Sequence, residues 1–373
     1  WNVVFTREFD ITNDSHLFRT EPEPDRLPLY QGNMIHQFTH HLSPPHYWID
    51  HLGRNDLVRQ EMRRVEMAID TLAASQGYVS TASTRFERVN AFLDSLGITP
   101  ITSTDICIAG DSPRLIFRKI ARNTDERTLI ATILPAKAFV SDSLNYLIPL
   151  EFEVSEEKLT STRRIKDCYK QTLPSSILMY LCGVFNSFTL DYIVRFKVSA
   201  NVNIFYMYQL PVPRLTIENP YCMAIAERAA RLLCSGPEFD ELRCELLSNV
   251  NASVTSDPAE RQHLQSEIDG LVAHLYGLEE DEFAHVLTTF PLTGQPIKDA
   301  ALDAYRKFAL APDDLALTEL VAKGETDKVE FKVAACWNAR ESRKDDSMRD
   351  NVIQEVAAFL NSREGGIVLI GVE

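Results

Sequence analysis

The sequence predicts a mixed α/β fold. Three observations indicate it: a globular composition, a long segment with helical periodicity, and a pair of apolar runs typical of a β-hairpin. Of the 373 residues, 45% are hydrophobic and 24% are charged, which is typical of a folded chain and not of a disordered one. A chain of this length has room for two or three domains.

Helical periodicity is clearest in residues 55–75. One face of this predicted helix carries the apolar residues Leu57, Val58, Met62, Val65, Ile69 and Leu72. A second, shorter helix is predicted over residues 84–96. Residues 1–48 are predicted to form strands and loops, because five prolines in this segment interrupt any long helix.

The strongest β signal lies in residues 113–135. Two apolar runs flank the polar segment Asn123-Thr124-Asp125-Glu126, a pattern that predicts a hairpin. Farther along, residues 174–196 read as one mostly apolar helix. A strand is predicted to follow it through Asn203-Ile204-Phe205.

Residues 220–290 are predicted to be helical. Asp257 is suited to be the N-cap of one of these helices, with Pro258 in its first turn. The three predicted helices are Tyr221–Cys234, Pro258–Tyr276 and Glu279–Leu287. Residues 295–312 are predicted to be a linker with a short helix.

A new pattern begins at Leu315, with a helix followed by a strand over Lys328–Val333. A polar loop over Asn338–Met348 and a helix over Asn351–Leu360 come next, and a strand over Ile367–Val372 closes the pattern. We therefore expect three parts. They are an α/β domain in residues 1–215, a helical extension in 216–300, and an incomplete α+β domain in 301–373.

Charge is unevenly distributed between the front and the back of the chain. Residues 1–215 contain 23 Lys or Arg and 24 Asp or Glu, whereas residues 216–373 contain 15 and 29. The net charge of −15 excludes a globally basic, histone-like DNA coat. A polyanion is expected to dock more readily on the near-neutral front than on the acidic back.

Several functional classes are disfavoured by composition. The seven cysteines include no CxxC pair, which favours reduced thiols of a cytoplasmic protein over a disulfide framework or a cysteine zinc site. The nearest metal-like histidine pattern is His36-x3-His40, which has no cysteine beside it. No apolar run reaches 18 residues, so no membrane partner is expected. Since Trp1 opens the chain, we expect a fragment of a longer protein.

Two segments rich in cations are candidate DNA-contacting regions. In the predicted hairpin they are Arg114, Arg118, Lys119, Arg122 and Arg127, and farther along they are Arg163, Arg164, Lys166 and Lys170. A two-stranded ribbon fits the major groove, where Arg binds guanine through two hydrogen bonds. The alternatives are phosphate contacts or ion pairs that fix the hairpin to the core, and a solvated charged face for the second set.

Loops are further candidates for base reading. The four loops considered are Leu42–Gly53, Ser80–Arg88, Val140–Asn145 and Lys158–Lys170. Four polar side chains suit the edge of adenine: Gln37, His40, Asn201 and Asn203. Nothing in the sequence selects among them.

Seven stretches of residues 1–292 resemble, in order and spacing, the C-terminal target-recognition region of Type IIG-like restriction–modification adenine methylases. These stretches are Ile11–Phe18, Leu27–His41, Arg118–Pro135, Phe185–Val198, Gln209–Pro213, Ile268–Phe283 and Thr289–Pro291. The resemblance implies sequence-specific recognition of double-stranded DNA.

The same resemblance implies an upstream methylase domain that binds S-adenosylmethionine and carries an (N/D)PP(Y/F) motif. This chain has no such motif, because Asn219-Pro220-Tyr221 is one proline short. It also lacks a glycine-rich cofactor loop after a strand. We therefore expect no cofactor in this chain and no methylation by it alone, so its status as an enzyme is left open.

The back of the chain resembles the AlbA-like domain shared with Schlafen proteins. The matching segments are Gly324–Lys332, Val356–Asn361 and Gly365–Val372. The resemblance implies that Glu325 and Glu330 hold a divalent metal such as Mg²⁺ in members that are nucleases. The third carboxylate of that family would fall one residue beyond Glu373, so the metal set is incomplete here.

Three functional hypotheses follow. The first is duplex DNA recognition for an adenine-N6 methylase of a restriction–modification or phage-defence system. The second is a metal-dependent nuclease, in which Glu330 and Lys332 lie two apart on a strand and therefore share a face, with Glu325 nearby. The alternative is that Glu330 and Lys332 lie on the solvent-exposed face of an edge strand and have no catalytic role. The third is a docking module for other defence subunits.

Overall fold

The computed structural model describes residues 3–247 and 253–308, together with the backbone of four short strands within 329–370. The chain divides into two compact units, Trp1–Lys307 and Phe308–Glu373. The described residues mix helices with several small sheets, which confirms the α/β class. The finer boundaries near residues 215 and 300 stay a prediction.

Ten strands are described in the first unit. In chain order they are β1 (Phe5–Thr6), β2 (Phe18–Arg19), β3 (Leu27–Tyr30), β4 (Tyr47–Ile49), β5 (Arg114–Arg118), β6 (Ala131–Leu134), β7 (Phe139–Val140), β8 (Leu144–Leu147), β9 (Leu150–Phe152) and β10 (Tyr169–Gln171). One sheet has the antiparallel order β1-β8-β5-β6. A second has the order β2-β4-β3-β7, with β3 and β7 parallel. Strands β9 and β10 form a separate antiparallel pair.

The predicted hairpin is confirmed. Strands β5 and β6 pair antiparallel, with Arg114 opposite Leu134 and Phe117 opposite Ala131. The connection between them runs over residues 119–130, so it is longer than the four polar residues that the sequence marked. We call this connection the hairpin turn.

Eleven helices are described. They are α1 (His51–Ser75), α2 (Arg85–Ser95), α3 (Glu156–Thr162), α4 (Ser175–Phe185), α5 (Phe188–Arg195), α6 (Ile204–Met207), α7 (Pro220–Leu233), α8 (Asp240–Leu247), α9 (Pro258–Leu275), α10 (Glu280–Thr288) and α11 (Gln295–Phe308). Helices α1, α2, α7, α9 and α10 confirm the predictions to within a few residues. Side chains cap several of them: Asp50 accepts from the Leu52 amide at 2.8 Å, and Asp257 accepts from the Glu260 amide at 2.9 Å.

Three predictions were wrong. The helix expected over residues 174–196 is broken into α4 and α5, because Asn186 bonds β6 and Ser187 caps α5 through the Leu190 amide. The strand expected at residues 203–205 is the helical turn α6, in which the Tyr206 amide donates to the Asn203 carbonyl at 2.9 Å. The expected linker begins with the long helix α11, which buries Ala301 and Tyr305. Helix α8 lies within the predicted helical region 220–290 but was not one of the three helices predicted there.

Three apolar cores can be described in the first unit. One lies between α1, α2 and the second sheet, and a second is built from residues of both sheets. The third contains residues of α5, α9, α10 and α11. Helices α9 and α11 meet closely at Gly270, where a Cβ atom would lie 2.6 Å from the Tyr305 nitrogen.

In the second unit the structure describes strands alone. These are β11 (Val329–Lys332), β12 (Trp337–Asn338), β13 (Arg343–Lys344) and β14 (Ile367–Ile370). Strands β11 and β14 are parallel, and they confirm the two predicted strands. The predicted helices after Leu315 and over Asn351–Leu360 lie outside the described residues.

Among the described residues, no single helix is long and apolar enough to cross a membrane. Helices α4 and α5 would reach that length and apolarity together, but the chain bends by 62° between them.

Candidate nucleic-acid interface

A buried polar cluster links segments that are far apart in the chain. Asn186, between α4 and α5, accepts a hydrogen bond from the Ala131 amide at 3.0 Å and donates one to the Ala131 carbonyl at 2.9 Å. Asp191, on α5, accepts from the Arg127 guanidinium at 2.9 Å and from the Leu129 amide at 3.0 Å. These contacts fix the end of the hairpin turn to the start of α5.

The same cluster includes three further segments. The Gln37 side chain donates to the Asn186 carbonyl at 2.9 Å, and Asp269 on α9 accepts from the Phe188 amide at 2.8 Å. The Phe188 ring packs edge-on against Phe290, with ring centroids 4.8 Å apart. We call the set Arg127, Asn186, Asp191 and Asp269 the polar hub.

Electrostatics in the polar hub is dominated by burial. Arg127 is 7% exposed and Asp191 is fully buried, so their ion pair is shielded from water. Burial raises the pKa of Asp269 to about 7, although the nearby Arg127 charge and the Phe188 amide oppose that increase. The Arg127 guanidinium also lies over the Phe188 ring, 4.1 Å from its centroid.

Arg195 is a clamp on the hairpin turn that the sequence analysis missed. Its guanidinium donates to the backbone carbonyls of Asp125 and Glu126, both at 2.6 Å, and lies 4.1 Å from the centre of the Phe290 ring. Burial lowers the pKa of Arg195 below its usual value. No local pattern marks this role, because the carbonyls it binds lie about 70 residues earlier in the chain.

Two of the five predicted hairpin cations are buried. The Arg114 side chain is fully buried and binds Glu8 at 3.0 Å and the Ala138 carbonyl at 3.0 Å. Burial raises the pKa of Glu8, although Arg114 opposes the increase. Arg127 belongs to the polar hub. Both side chains are therefore held in buried ion pairs, as in the ion-pair alternative, and contact between the predicted set and DNA stays a prediction.

The other three hairpin cations lie nearer the surface. Arg118 is half-buried and donates to the Ile35 carbonyl, and Lys119 lies 3.8 Å from Asp142. Arg122 is exposed at the tip of the hairpin turn. Of the predicted set, Arg122 is the side chain best placed to meet a ligand.

The second predicted set lies on a firmly anchored loop. Arg163, Arg164 and Lys166 are exposed, while Ile165 and Cys168 between and beside them are buried in the first core. Lys170 forms an ion pair with Glu153 across the β9–β10 pair. Arg163, Arg164 and Lys166, which we call the basic loop, have no ion-pair partner among the described residues.

The structure separates the loop and base-reading candidates. Gln37 is used by the polar hub, and His40 is buried with its Nε2 atom 3.1 Å from Glu238. Asn201 and Asn203 are exposed. Their segment runs beside the hairpin turn, since the Val202 amide donates to the Lys119 carbonyl at 2.7 Å and Ile120 bridges to Asn201.

The candidate loops are less open than the sequence suggested. The loop over Leu42–Gly53 contains β4 and the start of α1, and Lys158–Lys170 contains most of α3. In Val140–Asn145 only Asp142 and Ser143 are partly exposed. Of the Ser80–Arg88 loop, residues 80–84 are exposed or partly exposed, and α2 begins directly after them.

Two adjoining cavities of about 310 Å³ and about 580 Å³ lie between α1 and β9. Their cationic lining residues are Arg7, Arg54, Arg64 and Lys166. Arg54 pairs with Asp111 at 2.9 Å and Arg64 with Glu61 at 3.4 Å, so two of these four cations are charge-compensated.

Two candidate metal sites were predicted from the sequence, one at Glu325, Glu330 and Lys332 and the other at His36 and His40. Glu330 and Lys332 belong to β11, whose backbone alone is described, and Glu325 lies outside the described residues. The nuclease and Mg²⁺ hypothesis therefore stays a prediction. Of the His36-x3-His40 pair, His40 belongs to a described group of metal-ligating side chains, together with His41 and Glu238.

Comparisons with known proteins give one structural similarity to report. No protein-family model matches the chain, and no curated protein matches it. The structure is similar to that of the Type IIL restriction-modification enzyme MmeI in complex with DNA, at 12% sequence identity and a TM-score of 0.37. The similarity covers 80% of this chain and 36% of the MmeI chain, so this chain spans little more than a third of that enzyme's length.

Proposed function

We propose that residues 1–292 bind double-stranded DNA and recognise a specific sequence for an adenine-N6 methyltransferase of a restriction–modification or phage-defence system. The observation that carries this proposal is the polar hub. Three of the seven stretches that resemble the recognition region of Type IIG-like enzymes supply hub residues, through Arg127, Asn186 and Asp269. Two more stretches pack beside the hub, because Gln37 donates to the Asn186 carbonyl and Phe290 contacts the Phe188 ring. Unrelated matches would be scattered over the fold.

The hub residues are proposed to hold the interface and not to read DNA. Reading falls to the exposed side chains that the hub positions: Arg122 on the hairpin turn, with Asn201 and Asn203 beside it. Arg suits guanine and Asn suits adenine in the major groove. Ile120, which is 66% exposed at the same turn, suits the methyl group of thymine.

The basic loop is proposed to contact phosphates. Its three cations carry no competing ion pair among the described residues, and the buried Ile165 and Cys168 hold the loop in place. Phosphate contacts fix the orientation of a protein on the duplex without reading sequence.

Methyl transfer is assigned to a separate domain. This chain has no (N/D)PP(Y/F) motif. S-adenosylmethionine and the flipped adenine are therefore proposed to bind in an upstream methylase domain, which is the expected partner besides DNA.

Fluorescence anisotropy with a labelled pool of random duplexes tests the proposal. The chain is expected to bind, and the logarithm of its binding constant should fall linearly with the logarithm of salt concentration. Substituting Arg163, Arg164 and Lys166 together by Ala should flatten that slope by about 2 to 3, because each phosphate contact contributes about 0.9.

A control variant removes the same charge elsewhere. Arg243, Lys298 and Arg306 lie on α8 and α11, and their substitution by Ala should leave the slope unchanged if the basic loop is specifically involved. Equal effects of both triple variants would show a non-specific charge effect. Absence of binding at low salt would overturn the proposal for this chain.

A further inference from the structure

A cluster of metal-ligating side chains contains none of the residues proposed above to contact DNA. It joins His40 and His41, which follow β3, with Glu238, which precedes α8. The His40 Nε2 atom lies 3.1 Å from a Glu238 carboxylate oxygen. One ligand atom from each of the three residues lies within 4.8 Å of the other two.

The histidine side of the cluster is held rigidly. Residues 36–39 form a tight turn closed by two backbone hydrogen bonds between His36 and Thr39, of 2.8 and 3.0 Å. Arg261 on α9 fixes this turn by donating to the Phe38 carbonyl at 3.1 Å. The buried His40 ring then packs edge-on between the rings of His41 and Phe239, with centroids 4.6 and 5.1 Å away.

The carboxylate side is shaped by a glycine. A side chain at Gly236 would collide with both carboxylate oxygens of Glu238. Glycine at this position therefore leaves the space into which the Glu238 carboxylate folds. The neighbouring Phe239 is 1% exposed and anchors the segment in the core.

We propose that His40, His41 and Glu238 form a binding site for a divalent transition-metal ion, of which zinc suits the donors best. Two imidazole nitrogens and one carboxylate oxygen match the ligand types of zinc, whereas Mg²⁺ and Ca²⁺ prefer oxygen donors alone. Tetrahedral zinc with bonds of about 2.0 to 2.1 Å places its ligand atoms roughly 3.4 Å apart. The His40–Glu238 separation of 3.1 Å is close to that value, and all three ligand atoms lie within 4.8 Å of one another.

The ion would cross-link two distant segments of the first unit. One contains His40 and His41, directly after the turn over residues 36–39 whose Gln37 side chain contacts the polar hub, and the other contains Glu238 and leads into α8. Three protein ligands leave a fourth position for water or another donor. The site does not depend on DNA recognition, and its failure would leave that proposal intact.

Titration of the metal-free chain with Zn²⁺ against a chromophoric chelator tests the site. The chain should bind one equivalent, and its melting temperature should rise with zinc. His41→Ala and Glu238→Gln should each lower the affinity for zinc by at least about tenfold. A change in a residue that only supports a metal ligand already lowers metal affinity by about that factor. His46→Ala, an exposed histidine of the same segment, is the matched control and should bind as tightly as the unmodified chain.

Cobalt(II) separates this site from adventitious binding by the cysteines. Bound at two imidazoles and a carboxylate, it should give visible ligand-field bands without a thiolate charge-transfer band. A thiolate band, or wild-type zinc affinity in the His41→Ala and Glu238→Gln variants, would overturn the proposal. So would the absence of any zinc binding by the folded chain, with folding checked by circular dichroism.

Discussion

Asp269 gives the polar hub a characteristic pH dependence. Its carboxyl is fully buried, and burial raises its pKa from an ordinary 3.8 to about 7. Between these pH values the folded chain therefore holds a proton that the unfolded chain has lost. Since the folded state binds more protons in that window, this group makes the free energy of unfolding fall as the pH rises from about 4 to about 7.

The size of the effect follows from the shift. About three pKa units at about 1.4 kcal/mol each give an upper limit of about 4 kcal/mol across the window. In the unmodified chain, the Phe188 amide donates to the Asp269 carboxylate at 2.8 Å. In the Asp269→Asn variant, the asparagine keeps an oxygen that can accept this hydrogen bond, but its side chain cannot ionise. The variant should therefore gain stability relative to the unmodified chain as the pH rises, and the difference should level off above pH 7.

Urea denaturation followed by circular dichroism, at several pH values between 4.5 and 8, measures this difference. Other titrating groups are common to both proteins and cancel in the comparison. Asp303→Asn, at an exposed position of α11, is the control and should run parallel to the unmodified chain. Parallel curves for Asp269→Asn as well would refute the reasoning, because they would mean that Asp269 titrates alike in the folded and unfolded chains.

Three further predictions concern the scaffold. Asp191→Ala leaves the buried Arg127 without its carboxylate and should lower the free energy of unfolding by about 3 to 5 kcal/mol in urea denaturation, whereas a loss under 1 kcal/mol would contradict the hub. Arg195→Ala should speed amide hydrogen exchange in the hairpin turn while β5 stays protected, and unchanged exchange would deny the clamp. Gly270→Ala should cost about 1 to 3 kcal/mol, seen as a lower melting temperature, because the added carbon meets the backbone of α11; an unchanged melting temperature would contradict that close approach.

Local signals in the sequence predicted much of the fold. Helix α1 was predicted from its apolar periodicity, and α9 from the capping residue that precedes it. The β5–β6 hairpin was predicted because its two strands are neighbours in the chain. The break between α4 and α5 was missed because the Asn186 side chain bonds the Ala131 amide on β6, which lies 55 residues earlier in the chain. Such long-range hydrogen bonds leave no local pattern.

The candidate site was harder to predict for the same reason. Arg114 and Arg122 look alike in the sequence, yet Arg114 is buried against Glu8, 106 residues away, while Arg122 is exposed. In residues 163–168 the alternation of cations with Ile165 and Cys168 did carry information, since it indicates a charged loop anchored in a core. His40 and Glu238 come together only through the packing of two distant segments.

The most direct test of DNA recognition is selection from a pool of random duplexes. The chain is incubated with the pool at physiological salt, bound duplexes are recovered and amplified, and the enriched sequences are read after several rounds. Recognition by the hairpin turn and the segment beside it predicts one enriched motif, whose preference at individual positions relaxes in Arg122→Ala or Asn201→Ala. Binding without any enriched motif, or no binding at all, would contradict the proposal that this chain reads DNA sequence.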